Sequence, residues 1–293
     1  MSDKKPPLTQ EKKRWAKNRD VNLLGKTLNY NASIQTWYSR SLLSLIDDMT
    51  ADVEKQVKKL FKKLPVTFLG TTDDSVGSQA RILMNKLLEK YTELFTKASY
   101  DLADEMLDKT TKVSESNLHA SLKELSGGLS IKTSIVPPEL KDVITASIAE
   151  NVSLIKSIPQ QYLKDVTGAV MRSITSGQGV YDLLPEIKKY AGVTERRAYR
   201  LALDQTRKAY TSINVAKMNK LGVKSFQWVH SGGGQTPRAS HIAIKGKVFT
   251  FANVEAEQAA LGVPKSDRGL PGYPINCRCS MKPIITFEDR EDV

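Results

Sequence analysis

The histidines and cysteines of this chain are unevenly placed. His230, His241, Cys277 and Cys279 fall within a fifty-residue stretch near the C-terminal end. Neutral imidazole and thiolate are ligands that zinc prefers, and two of each complete a closed tetrahedral site. If Cys277-Arg278-Cys279 is extended, both sulfurs point to one side, because side chains alternate along a strand. One ion is then within reach of both. The spacing argues the other way. One residue between the cysteines and ten between the histidines is not the pattern of the common zinc folds. Two other readings therefore stand beside a structural zinc on His230, His241, Cys277 and Cys279. The cysteines are small buried hydrophobes next to a hydrogen-bonded histidine, or one of them is a redox or catalytic thiol.

Other catalytic signatures are missing from the sequence. Gly232–Arg238, GGGQTPR, has the glycines of a phosphate loop but not the Gly-Lys-Ser/Thr ending that reaches the phosphates and the metal. There is no HExxH and no GxSxG, so neither a zinc protease helix nor a nucleophile elbow is present. The expectation is a protein that is not an enzyme, with the glycines forming an adaptable loop. A nuclease-like or toxin-like activity using His241 with Arg238 is the alternative.

Apolar spacing indicates which elements position these residues. Ile34, Trp37, Tyr38, Leu42, Leu45, Ile46 and Met49 recur at helical steps, extended by Val53, Val57, Leu60 and Phe61. A second stripe of Ile82, Leu83, Leu87, Tyr91, Leu94, Phe95, Ala98, Leu102 and Met106 predicts a helix from about 76 to 125. Further helices are expected at 139–150, 160–176, 180–190 and 194–221. Thr194 would be the N-cap of the last, and Gly222 its stop. Beyond Gly222 the pattern becomes β-rich, with strands expected at 223–229, 247–251 and within 277–287. The fold class is α+β: long N-terminal helices, as a bundle or an extended arm, followed by a small C-terminal α+β module.

The chain has 293 residues, 44 basic and 32 acidic side chains, and a formal net charge of +12. The excess is at the two ends: residues 1–63 and 188–293 are basic, whereas 64–187 is slightly acidic. Basic ends suit a polyanionic partner such as DNA phosphate. Residues 1–20 read as a mobile basic arm, with Lys12, Lys13, Arg14, Lys17 and Arg19 as candidate contacts to DNA or a protein partner. Two cysteines are too few for a disulfide-built secreted scaffold. No apolar run reaches the roughly 18 residues of a membrane span, and the N-terminus lacks the apolar core of a secretion signal. A soluble intracellular protein with no membrane partner is expected.

An ordered set of motifs adds what composition does not. Trp228-Val-His230, Thr236-Pro-Arg238, Ser240-His241, Gly246-Lys247 and Pro274-Ile-Asn-Cys-Arg-Cys279 together resemble the C-terminal domain of the phage Mu F-like minor head proteins, also called phage head morphogenesis proteins. Asn151–Leu163 and Thr194–Asn214 are similar to the same family, so the resemblance covers about residues 140–287. It divides the chain into the arm, a helical region at 21–130, and a head morphogenesis domain at 131–293 with its α+β core at about 194–287. The resemblance implies a minor capsid protein of a tailed phage, inside the capsid near the portal vertex and assembled in the host cytoplasm. Its implied partners are the portal protein, packaged double-stranded DNA, and capsid or scaffolding proteins. Its implied role is head assembly and DNA packaging or delivery, with no established catalysis. Trp228, Arg238, His241, Cys277, Arg278 and Cys279 match the motif positions. Arg278 is expected either to hold the cysteine turn by hydrogen bonds or to face a partner. A DNA-binding protein without a virion role is a further alternative.

Overall fold

A computed structural model describes residues 22–63, 75–125, 138–177, 179–232 and 236–286. In chain order the elements are β1 (Asn22–Leu24), α1 (Ala32–Lys63), α2 (Val76–Leu125), α3 (Pro138–Thr175), α4 (Val180–Lys220), β2 (Ser225–Val229), α5 (Ala239–Ala243), β3 (Val248–Thr250), α6 (Val254–Ala260), a 3-10 turn at Lys265–Asp267, and β4 (Ser280–Thr286). The architecture is α+β as expected: long helices first, then a small antiparallel sheet. Among the described residues, no helix is long and apolar enough to cross a membrane. The arm residues Lys12, Lys13, Arg14, Lys17 and Arg19 lie outside the described residues.

Packing groups the chain into two compact units that do not follow its linear order. One comprises residues 1–31, 110–143 and 207–293, the other 32–109 and 144–206.

The all-helical unit (32–109 and 144–206) is built from amphipathic stripes. On α1, Ile34, Tyr38, Leu42, Ile46, Met49, Val53 and Val57 are buried, each three or four residues from the last, so they share one face. On α2 the buried series is Ala80, Met84, Leu87, Tyr91, Phe95 and Ala103. Ile82 and Leu94, expected in that stripe, are instead 54% and 39% exposed. Ile82 lies off the three- and four-residue steps of the buried series, and Leu94 flanks Phe95, which takes the buried position after Tyr91. Polar ties fix the helices to one another. The Tyr38 hydroxyl donates to Asn151 Oδ1 at 2.9 Å, and Asn151 Nδ2 donates to Gln205 Oε1 at 3.1 Å.

Two expected breaks are absent. Residues 138–175 form one helix through the gap expected at 151–159, Pro159 included, and 180–220 form one helix through the gap expected at 191–193. Thr194 is therefore no N-cap. It sits inside α4, where its hydroxyl donates to the Tyr190 carbonyl at 2.9 Å, as mid-helix threonines commonly do. The helix does stop at Gly222, which adopts φ +76°. Val223 N–H closes back on the Met218 carbonyl at 2.9 Å, the wrap that a left-handed residue permits.

Asp52 on α1 accepts from Lys90 at 2.7 Å and from the Tyr91 hydroxyl at 2.8 Å on α2, and from Gln56 at 3.1 Å. Burial opposes ionisation of Asp52, but these three donors hold its carboxyl below the usual aspartate range. A depressed folded-state pKa gives stability that is present above the unfolded value, about 3.9, and lost as pH falls through the folded one. Lys90 is largely exposed, so the contribution is small, about 0.5–1 kcal/mol. Asp52→Asn is expected to lower stability by that amount at pH 7 and to flatten the acid limb below pH ~4. Urea titrations at pH 7 and pH 3 check it, and an unchanged acid limb would speak against the pairing.

The α+β unit carries the sheet, ordered β1-β4-β2-β3 with every pair antiparallel. β2 is central. Its alternation buries Phe226 and Trp228, opposite Phe249 of β3 and Met281 of β4 respectively. Their core is completed by Leu118 and Leu122 of α2, and Tyr210 and Met218 of α4. β1 lies in the region, 21–130, expected to be helical, and it pairs Leu24 with Ile284 of β4. Three residues are too short for a periodic signal, and their conformation is set by the partner strand. The segment after β1 is tied to α2 by Asn117, whose Nδ2 donates to the Asn29 carbonyl at 2.7 Å and to the Tyr210 hydroxyl at 2.8 Å.

Candidate functional site

Four short pieces of the α+β unit meet around His241. α5 carries Ser240 and His241, the 3-10 turn supplies Asp267, the tight turns at Gly269–Asn276 deliver the cysteines, and Trp228 comes from β2. Two backbone features bring Cys277 inward. Asn276 takes φ 59° and Cys277 N–H bonds the Pro274 carbonyl at 2.8 Å, closing a turn that asparagine tolerates in the left-handed region. Gly272 has φ +92°, and a Cβ there would lie 3.1 Å from Thr211 Oγ1 and 3.4 Å from the Arg207 carbonyl. Only glycine lets α4 approach this closely. Thr211 Oγ1 seals the approach by donating to the Pro271 carbonyl at 2.6 Å.

At the centre, His241 Nδ1 lies 3.7 Å from Cys277 Sγ and 3.6 Å from Cys279 Sγ. These three atoms are within 4.8 Å of one another, and all three residues are buried. His241 Nε2 is 2.9 Å from the Asp267 carbonyl oxygen. A carbonyl can only accept, so Nε2 carries a proton, and Nδ1 faces the two sulfurs. The Trp228 ring packs edge-on against the imidazole at 5.0 Å between centroids, and Gly272 N–H donates to Cys277 Sγ at 3.4 Å.

The sulfurs are electrostatically unequal. Cys277 is pulled below the ordinary thiol range to about 4, chiefly by the hydrogen bond it receives from Cys279, against burial, and with help from His241 and the Gly272 N–H. Cys279 is pushed up because it gives that hydrogen bond and is buried. His241 is raised: burial opposes its charged form, but its bonds to Cys277 and to the Asp267 carbonyl outweigh that. All three side chains that share this pocket are buried.

Asp267 is the hub on the outer side, and nothing in the sequence pattern singled it out. Its carboxylate accepts from Arg238 Nε at 3.0 Å and from the Ser240 hydroxyl at 2.7 Å, while its carbonyl holds His241. Arg238 also donates to the Ile275 carbonyl at 2.8 Å, so it clamps the turn before Cys277. Replacing Asp267 with alanine removes two charge-assisted bonds. The expected loss is about 1–2 kcal/mol, discounted for partial exposure of Arg238. Urea unfolding reads it, and an unaltered midpoint would argue against the hub.

Arg207 was visible in the sequence only as one of several arginines interleaved along a helix. It lies on α4, buried, and donates to the Cys277 carbonyl at 3.0 Å and to the Tyr30 hydroxyl. Its guanidinium stacks 4.3 Å over the Tyr30 ring. The arginine that grips the cysteine turn is thus Arg207, whereas Arg278 is exposed. The structure brings together Trp228, Arg238, His241, Cys277 and Cys279. His230 is outside the set of clustered ligand atoms, with its Nδ1 accepting from Gly232 N–H at 3.1 Å.

No solved structure matches the chain. It is similar to an uncharacterized protein of Haemophilus influenzae, with 29% identity over 285 residues covering 95% of this chain. The chain spans only 58% of that relative's length. Residues 164–282, which hold every side chain of the cluster and Arg207 besides, match the family model described as Phage Mu protein F like protein, a similarity that suggests head morphogenesis.

Proposed function

We propose that this protein is a minor capsid protein of a tailed phage, positioned in the head near the portal vertex, where it acts in head assembly and in DNA packaging or delivery. The observation that carries the reading is the family match over residues 164–282. Its partners in this reading are the portal protein, packaged double-stranded DNA, and capsid or scaffolding proteins. A net charge of +12, concentrated toward both ends, supports contact with phosphate-dense DNA. On charge alone, Lys12, Lys13, Arg14, Lys17 and Arg19 are assigned to that contact.

The site supports a structural role over turnover. Both nitrogens of His241 are committed, one to the Asp267 carbonyl and one to the cysteine pair. His241 and Cys277 are each 2% exposed, which leaves little room for a substrate. Arg238, the partner His241 would need in a nuclease, is engaged by Asp267 and Ile275. Deleting the gene from an inducible prophage tests the reading. The expected result is loss of infectious particles, restored by supplying the chain in trans. Normal particle yield after deletion would overturn it.

A further inference from the structure

We propose that His241, Cys277 and Cys279 bind one zinc ion through Nδ1, Sγ and Sγ. The inference is independent of the virion reading, since it rests on the geometry of the three ligand atoms.

Zinc bonds sulfur at about 2.3 Å and nitrogen at about 2.0–2.1 Å in a tetrahedron, which sets each sulfur–nitrogen edge near ~3.6 Å. The two edges in this protein are 3.7 and 3.6 Å. The imidazole orientation is also that of a ligand. Metal-bound histidines characteristically donate their second N–H to a carbonyl or carboxylate, which fixes the tautomer and aims the lone pair at the metal. His241 does so through Nε2 to the Asp267 carbonyl, and Asp267 is itself held by Arg238 and Ser240. This is a supported second layer around the three donors.

A metal-free trio is a poorer solution to the same geometry. At 3.6–3.7 Å both sulfurs crowd a single ring nitrogen, which makes one hydrogen bond, so at most one sulfur is satisfied there. An ion satisfies all three donors at once and neutralises charge that burial would otherwise oppose. It also cross-links α5 to the segment entering β4, two pieces joined by loop and short helix. Small loop-rich modules gain most from such a staple. The spacing that spoke against zinc in the sequence is resolved by the turn at Asn276: one intervening residue suffices because Cys277 and Cys279 face the same point. His230 lies outside the clustered set, and among the described residues the ligand group is these three side chains.

The test uses the full chain without an affinity tag, purified from zinc-supplemented medium and analysed by inductively coupled plasma mass spectrometry. One zinc per chain is expected. Cys277→Ser, Cys279→Ser and His241→Asn should each lose most of it, and His230→Ala should retain it. Because a ligand variant can lose metal by misfolding, the wild-type chain is also stripped with a chelator and reloaded with cobalt(II) alone. Thiolate-to-cobalt charge-transfer absorption together with tetrahedral d–d bands is expected, and a lowered thermal midpoint in the stripped form. A folded wild-type chain that carries no metal and gives no such absorption overturns the proposal. Loss of zinc in His230→Ala overturns the three-ligand set.

Discussion

Trp228→Ala is expected to destabilise the α+β unit by about 3–5 kcal/mol, the usual cost of emptying a large aromatic site in a core. Trp228 is fully buried on the central strand. It packs edge-on against Phe249 at 6.2 Å between centroids and edge-on against His241 at 5.0 Å. Its loss therefore opens a cavity beneath the sheet and removes the wall that fixes the imidazole. A cost that is a large fraction of an ordinary domain's stability should appear as a marked loss of amide protection in β2 and β4, read by hydrogen exchange with mass spectrometry. Trp228→Phe keeps most of the volume and is expected to recover more than half of the loss. Protection unchanged in Trp228→Ala would contradict the packing described.

The second large effect is at Arg207. Arg207→Ala is expected to cost about 2–4 kcal/mol, by leaving the buried Cys277 carbonyl without its donor and by removing the guanidinium from the Tyr30 ring. Arg207→Lys keeps the charge but not the planar fork that serves two acceptors at once, so it should recover less than half. Tyr30→Phe deletes only the hydroxyl contact and is expected to cost about 1 kcal/mol. Equilibrium urea unfolding of the three variants ranks them. If Arg207→Lys matched the wild type, the grip on the cysteine turn would be one of charge alone.

The parts of this fold that were legible in the sequence are those with a repeating cause. The α1 stripe from Ile34 to Val57 repeats every three or four residues and is buried, with Trp37 and Leu45 half-buried at its edge. The alternation of Phe226 and Trp228 gives β2. Gly222 ends α4 because few other residues adopt its φ. The errors have causes as local. The stretch 151–159 read as a gap, yet Pro159 is carried inside a helix whose neighbouring turns are buried, and packing of those turns outweighs one missing donor; the gap expected at 191–193 holds no proline and is helical. Thr194 has the composition of a cap, but a hydroxyl also bonds four residues back. β1 left no trace because its geometry comes from β4, 260 residues away.

The site divides in the same manner. Its chemistry was visible as residue types, His241 with Cys277 and Cys279, because such side chains are few in this chain. Its scaffold was not. Asp267 is one of many acidic residues and Arg207 one of many basic ones, and their roles depend on turns far away in sequence. Arg278, placed between two inward cysteines, points outward for the same reason that they point inward.

The proposed role in the phage head is tested most directly by quantitative peptide mass spectrometry of purified, nuclease-treated heads from an induced lysogen. The account predicts peptides spanning the whole chain, at a fixed ratio to the portal protein across independent preparations. Heads that are complete, filled with DNA and free of this chain would contradict it.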